Sequence, residues 1–272
     1  MYPELIRLGP FAIRSYGALL ALSFLLGIFW SIKRAKKSGL NPKYIVDLAL
    51  VVFISSLLGA RFFYVVFHLD EFRDHWLDVI SPIQSSGDLG IGGLTLLGGV
   101  VLAVTSGVFY LRVKSQNVWQ VADLVAPSFP LGIFLTRLGC FLNGCCFGKP
   151  SPEGAWGIIF PESCPAGYTY PGIALYPTQI FSSLKGLVIL LLVLFLERYK
   201  KFDGHTFWSM LFLFGIGRFV IDFYRYYEPS MVLIRVEEVG FSVNQGVSVL
   251  IILISALVWN FLRTKSLSRK QE

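Results

Sequence analysis

The chain has 272 residues, of which 54% are hydrophobic and only 15% charged, with a mean hydropathy of +0.64. That composition excludes an ordinary soluble domain and a disordered chain. The net charge of +7 does not indicate nucleic acid, because Lys and Arg gather at the ends of apolar runs rather than in a basic stripe interleaved with aromatics.

In chain order, seven apolar segments predict membrane-spanning helices over 16–30, 44–67, 92–111, 121–142, 179–195, 206–224 and 241–262. Each approaches the roughly 20 residues needed to cross a hydrocarbon core of about 30 Å. The first run has no short h-region or small-residue cleavage site, so it is expected to persist as a helix. The loop after it packs Lys33, Arg34, Lys36, Lys37 and Lys43 together, which marks it as cytoplasmic. Arg112 and Lys114, then Arg198, Lys200 and Lys201, then Arg263, Lys265, Arg269 and Lys270 fall on the same side. Asp70, Glu71, Asp74, Asp78 and Asp88, and later Glu228, Glu237 and Glu238, fall on the other. The expected fold is therefore an all-α polytopic membrane protein, residues 1–272 as one domain, N-terminus outside and C-terminus in the cytoplasm. Pro- and Gly-rich residues 143–178 read as a small external cap.

Charges inside the apolar runs are costly, about 2.5–3.5 kcal/mol each on insertion scales, and mark interior or functional positions. Arg61, Arg137 and Arg218 are expected at one depth near the outer face. Asp222 and Arg225 follow Arg218 on the same helix face. Snorkelling or pairing with Asp222 would explain a lone arginine. Three at one level suit an anionic ligand, and a lipid headgroup phosphate is the anion available there. Asp47 and Asp123 read as helix-end charges, and Lys185 as a snorkelling cation. Gly92-Gly93 and Gly98-Gly99 suit close helix packing or approach to a headgroup.

Cys140, Cys145, Cys146 and Cys164 all map to the outer end of the fourth segment and the cap. A disulfide from Cys145 or Cys146 to Cys164 would staple the cap. Zinc is disfavoured, since the spacing lacks a C-x-x-C pair and the cap has no histidine.

Residues 136–148, Thr-Arg-Leu-Gly-Cys-Phe-Leu-Asn-Gly-Cys-Cys-Phe-Gly, resemble the cysteine-rich signature G-R-x-G-C-F-x-x-G-C-C-Y-G of the prolipoprotein diacylglyceryl transferase family. Tyr16-Gly17, Gly59-Ala60-Arg61, the two glycine pairs, Pro177-Thr178-Gln179, the stretch from Arg218 to Arg225, and Gln245 agree in order. The resemblance implies a multi-pass enzyme of the bacterial inner membrane. It would move the diacylglyceryl group of phosphatidylglycerol to the lipobox cysteine of a prolipoprotein and release glycerol phosphate. It implies Arg137, Arg218 and Asp222 as catalytic residues, and Arg137, Arg61, Tyr16, Asn143, Gly148, Gln179 and Gln245 as substrate-binding ones. No metal, cofactor or nucleic acid is expected. An inactive paralogue that binds phospholipid or assists lipoprotein maturation is the alternative. The chain departs from the family at Leu97, where many members have a histidine proposed as the base. It also departs at Cys140 and Cys145 (Asn and Glu in many members), Tyr176 (often His) and Phe214 (usually Tyr). Arginines beside a thiol of reference pKa about 8.5 favour its thiolate, so an arginine clamp without a strong base is the expected mechanism.

Overall fold

The computed structural model describes residues 1–8, 11–73, 76, 93–152, 156–227, 232–236 and 239–268. Asp74, Asp78, Asp88, Gly92, Glu228, Glu237, Glu238, Arg269 and Lys270, which the sequence reading used, lie outside the described residues. The described chain is mostly helical. A hairpin of β1 (Glu4–Leu8) and β2 (Phe11–Arg14) leads into α1 (Ser15–Lys37), followed by α2 (Lys43–Phe67) and a short 3-10 turn, Leu69–Phe72. Next come α3 (Leu96–Val113), α4 (Val118–Val125) and α5 (Ser128–Asn143). The two-residue strands β3 (Ile158–Ile159) and β4 (Ala174–Leu175) enclose the short α6 (Pro165–Thr169). Then α7 (Thr178–Glu197), α8 (His205–Asp222), a hairpin of β5 (Val232–Val236) and β6 (Val239–Ser242), and α9 (Val243–Ser268) complete the chain. All three strand pairs are antiparallel, with Leu8 opposite Phe11, Ile158 opposite Leu175 and Val236 opposite Val239.

Among the described residues, six helices are long and apolar enough to cross a membrane: α1, α2, α3, α4 with α5, α7 and α9. The chain is thus a multi-pass membrane protein. The remaining expected span, α8, is as long as α3, but His205, Arg218 and Asp222 lower its hydropathy. The predicted fourth segment is two helices, because Pro127 and Pro130 lack the N–H groups that would continue the ladder; α4 stops at Val125 and α5 starts at Ser128.

Packing inverts the soluble pattern. Large apolar side chains such as Leu96, Phe109 and Leu257 point outward, where lipid replaces water. Buried contacts use small hydroxyl residues, which bring backbones close and bond across helices. Ser31 Oγ lies 2.9 Å from Ser128 Oγ, Ser23 Oγ 3.3 Å from Thr136 Oγ1, and Ser183 Oγ donates to Phe134 O at 2.8 Å.

The chain divides into two compact units, Met1–Ser31 with Ala122–Glu272 and Ile32–Val121. In the second, α2 packs on α3. A Cβ on Gly59 would sit 2.5 Å from Gly98 O and 2.6 Å from Leu102 Cβ, so Gly98 and Gly99 serve close helix packing. Tyr110 donates to Asp47 Oδ2 at 3.1 Å. In the first unit α7 packs on α5 and α8, and α8 on α9. Asp123 does not serve its own helix. It accepts from the backbone N–H groups of Gly204 (2.8 Å) and Phe207 (2.9 Å) at the start of α8, and pairs with Lys200 Nζ at 3.0 Å. Residues 144–178 carry a small apolar core of their own, built on Phe160, Cys164, Ala166 and Leu175.

Candidate active site at the ends of α5, α7 and α8

The signature around Arg137 is shaped by the way α5 ends. Gly144 adopts φ +68°, its N–H donates to Phe141 O and the Cys145 N–H to Cys140 O, each at 3.1 Å. This pair of bonds is a Schellman motif, which turns the chain back over the last helical turn. A side chain on Gly144 would need that left-handed backbone and would also strike Cys164. The returning strap is then fixed by α7. Gln179 Nε2 donates to Cys145 O at 2.8 Å and Thr178 Oγ1 to Cys146 O at 3.0 Å. Gly148 N–H donates to Tyr176 O at 3.0 Å, and Gly148 bridges to Arg225. A Cβ on Gly148 would lie 2.7 Å from Tyr176 O and Cβ, so only glycine lets the strap pass between α7 and the exit of α8.

Arg218 on α8 pairs with Asp222 at 3.3 Å and donates to the Tyr227 hydroxyl at 2.8 Å. Tyr227 and Ser242 each donate a short hydrogen bond to Asp222. Ser242 also accepts from Gln245 N at 3.1 Å while Gln245 Oε1 accepts from Ser242 N at 2.9 Å. This reciprocal pair is a capping box for α9. Burial, followed by the bond to Asp222, pushes the Tyr227 phenol up to about 12, so it stays a donor.

Among the described residues no carboxylate pairs with Arg137; its Nη1 lies 4.0 Å from Cys140 Sγ. Arg225 stacks over the Tyr227 ring at 5.5 Å, and its buried Nε has no partner. Lys185 Nζ sits over the Phe214 ring at 4.6 Å, within electrostatic reach of Arg137, Arg218, Arg225 and Asp222. Among the described residues, even with Lys185 left out, three permanently charged guanidiniums stand near one carboxylate. Burying cations without matching anions is costly, so this region calls for an anionic ligand of charge near two.

The cysteines do not form the expected staple. All four thiols are free. Cys164 is buried beside Phe160 and donates to Pro161 O at 3.1 Å. The sulfurs of Cys140, Cys145 and Cys146 instead gather within 4.8 Å of one another. Hydrogen bonds from the Cys140 and Cys145 thiols, helped by Arg137 and Arg225, pull the Cys146 thiol well below its ordinary value.

Of the sequence-expected residues, Arg137, Arg218 and Asp222 thus share this region. Tyr16, at the start of α1, approaches Gly139, where an added Cβ would stand 3.1 Å from Tyr16 Cα, and the phenol is within electrostatic reach of Arg137 and the three cysteines. Asn143 ends α5 with its side chain beside the Cys145 thiol. Gln179 and Gln245 hold backbone, each with one buried amide atom left unpartnered, Oε1 of Gln179 and Nε2 of Gln245. In the other unit, Arg61 donates to Gly93 O at 3.2 Å and stacks over Phe72 at 5.1 Å. Sequence reading missed Tyr227 and Ser242, and named Thr178 only within Pro177-Thr178-Gln179, without a role. The Ser-x-x-Gln spacing of 242–245 was a legible cap; nothing local marks Tyr227.

A family profile described as prolipoprotein diacylglyceryl transferase matches residues 3–261. The chain belongs to the prolipoprotein diacylglyceryl transferase family. Among its relatives, the phosphatidylglycerol–prolipoprotein diacylglyceryl transferase of Clostridium tetani is 32% identical over 225 residues, covering 83% of this chain and 86% of the relative. The protein of the same name from Prochlorococcus marinus is 33% identical over 203 residues, 72% of this chain and 66% of its own length. That of Clostridium botulinum is 27% identical over 222 residues, 82% and 84% respectively. In this prolipoprotein diacylglyceryl transferase family member, Leu97 is 66% exposed on α3, and three clustered thiols stand beside Arg137.

Proposed function

We propose that the chain transfers the diacylglyceryl group of phosphatidylglycerol to the lipobox cysteine of prolipoproteins, at the outer face of a bacterial inner membrane. The observation that carries this reading is the surplus of guanidinium over carboxylate at Arg137, Arg218 and Arg225, in a chain of this family. The site lies at the ends of apolar helices, at the depth of lipid phosphates. Loop charges give the orientation: seven crossings, N-terminus outside, and residues 143–178 as the external cap.

In this reading Arg137 and Arg218 hold the headgroup phosphate. The substrate thiolate attacks the glyceryl carbon bonded to the phosphate ester oxygen; the carbon–oxygen bond breaks and glycerol phosphate leaves with the electron pair. The leaving group is already an anion and needs no proton. Charge grows on its oxygens as the bond breaks, where fixed guanidiniums stabilise it most. Asp222, held by Tyr227 and Ser242, fixes the plane of Arg218.

The test is transfer from phosphatidylglycerol to a lipobox peptide by the purified chain in vesicles. Thioether product is expected, and Arg137→Ala should lower the rate by about 10²–10³ with helical content unchanged. Phosphatidylglycerol binding without transfer, where a relative works in the same assay, would favour an accessory role and overturn the enzyme reading.

A further inference from the structure

The three sulfurs gathered by the Schellman turn are a donor set, and the reaction proposed above alkylates a thiol. We propose that Cys140, Cys145 and Cys146 bind one zinc(II) ion as thiolates and present its fourth tetrahedral position to the lipobox thiol. This rests on the transferase reading and supplies the step it leaves open, how the nucleophile loses its proton in a chain with Leu97 at the family histidine position.

Geometry supports it first. Tetrahedral zinc with Zn–S near 2.3 Å places sulfurs about 3.8 Å apart, and the three lie within 4.8 Å of one another. The backbone is fixed beforehand, since Gln179 holds Cys145 O and Thr178 holds Cys146 O. Cys146 sits at φ +59°, a left-handed conformation that costs roughly 1–2 kcal/mol outside glycine. That conformation belongs to the turn that carries its sulfur to the other two.

Ligand chemistry comes next. Three thiolates select a soft or borderline cation, and three protein ligands with one open position are the pattern of catalytic rather than structural zinc. Cys140 is buried, Cys145 intermediate and Cys146 exposed, so the set opens on one side. A zinc trithiolate carries one negative charge, which Arg137 Nη1, 4.0 Å from Cys140 Sγ, offsets. The same arginine is the one assigned to the phosphate. A fourth sulfur on the metal therefore stands one side chain from the glyceryl carbon.

The balance is simple. The lipobox thiol binds zinc and releases its proton to water, as a coordinated thiol does. Its sulfur pair forms the S–C bond while the C–O pair leaves on glycerol phosphate. The neutral thioether product is a weaker ligand and vacates the position, and zinc keeps its oxidation state throughout. The sequence expectation of no metal rested on the missing C-x-x-C spacing; the helix end brings together residues i, i+5 and i+6 instead.

The full chain, purified in detergent under reducing conditions, is titrated with zinc(II) against a chromophoric chelator and separately loaded with cobalt(II). About one metal per chain is expected, with sulfur-to-cobalt charge-transfer absorption. Cys140→Ser and Cys146→Ser should lose it, and Cys164→Ser should keep it. A lipobox peptide should shift the cobalt spectrum, whereas the same peptide with serine for cysteine should not. Chelator-stripped protein should lose at least about tenfold in transfer and regain it with zinc. Failure to bind, a cobalt spectrum blind to the thiol peptide, or full transfer by metal-free protein each overturns the inference. The last outcome leaves the transferase reading standing. Absence of transfer from every form, beside an active relative, sinks that reading, and the cobalt response still decides whether the cluster captures a thiol through metal.

Discussion

Helix α8 meets a buried aspartate at each end, and the two carboxylates keep different company. At its N-terminus Asp123, 1% exposed, accepts two backbone N–H groups and one ammonium. The carboxylate there is balanced by the Lys200 ammonium, and the negative charge sits where the helix dipole favours it. At the C-terminus Asp222 is equally well bonded, by Arg218, Tyr227 and Ser242, but among the described residues Arg137 and Arg225 stand nearby without carboxylates of their own. A closed charge account marks a structural joint. An open one marks a place where a ligand must complete it. Burial alone does not separate the two cases.

Breaking the closed end should give the largest effect on stability. Asp123→Ala leaves two helix-start N–H groups without acceptors and removes a buried partner of Lys200, which keeps Asp203 at 3.4 Å. The expected loss is about 3 kcal/mol, seen as a lower thermal midpoint in detergent, with transfer per folded molecule unchanged. At the open end the pattern should reverse. Arg218→Lys keeps the charge but loses the planar fork, and transfer should fall by about tenfold or more with little change in midpoint. If both variants lowered stability and activity in parallel, the contrast between the two ends would be void.

Much of the frame is legible in the sequence because lipid imposes a long, simple pattern. Apolar runs located the helices, and Gly98-Gly99 was readable as packing. The break at Pro127 was visible but smoothed over by a continuous hydrophobic run. Partners across the chain were not legible. Asp123 meets Gly204 and Phe207 more than eighty residues later, and no local pattern announces that. Arg137, Arg218 and Asp222 stood out because charge in an apolar run is costly anywhere. The thiol cluster did not, since it depends on a helix ending at Asn143 with Gly144 left-handed. Gln245, expected from the family resemblance to bind substrate, instead bonds Ser242 as the cap of α9 and is part of the joint.

The finest division of the open end is between holding Arg218 and touching the substrate, and Tyr227 tests it. Its hydroxyl accepts from Arg218 at 2.8 Å and donates to Asp222, so it acts through the guanidinium as a positioning residue. Tyr227→Phe removes a hydroxyl bonded to two charged groups, each bond worth about 1.5 kcal/mol or more, while the direct Arg218–Asp222 pair remains to recover part of the loss. Transfer should fall about fivefold, carried by kcat rather than KM, because the link matters most when charge develops on the leaving phosphate. Since burial and the Asp222 bond push the phenol up to about 12, the parent chain should show no loss of rate from this group as pH rises to about 10, the ordinary tyrosine range. A falling limb there that disappears in Tyr227→Phe would mean that the phenol ionises during turnover, and Tyr227 would then belong to the reacting groups instead of to their support.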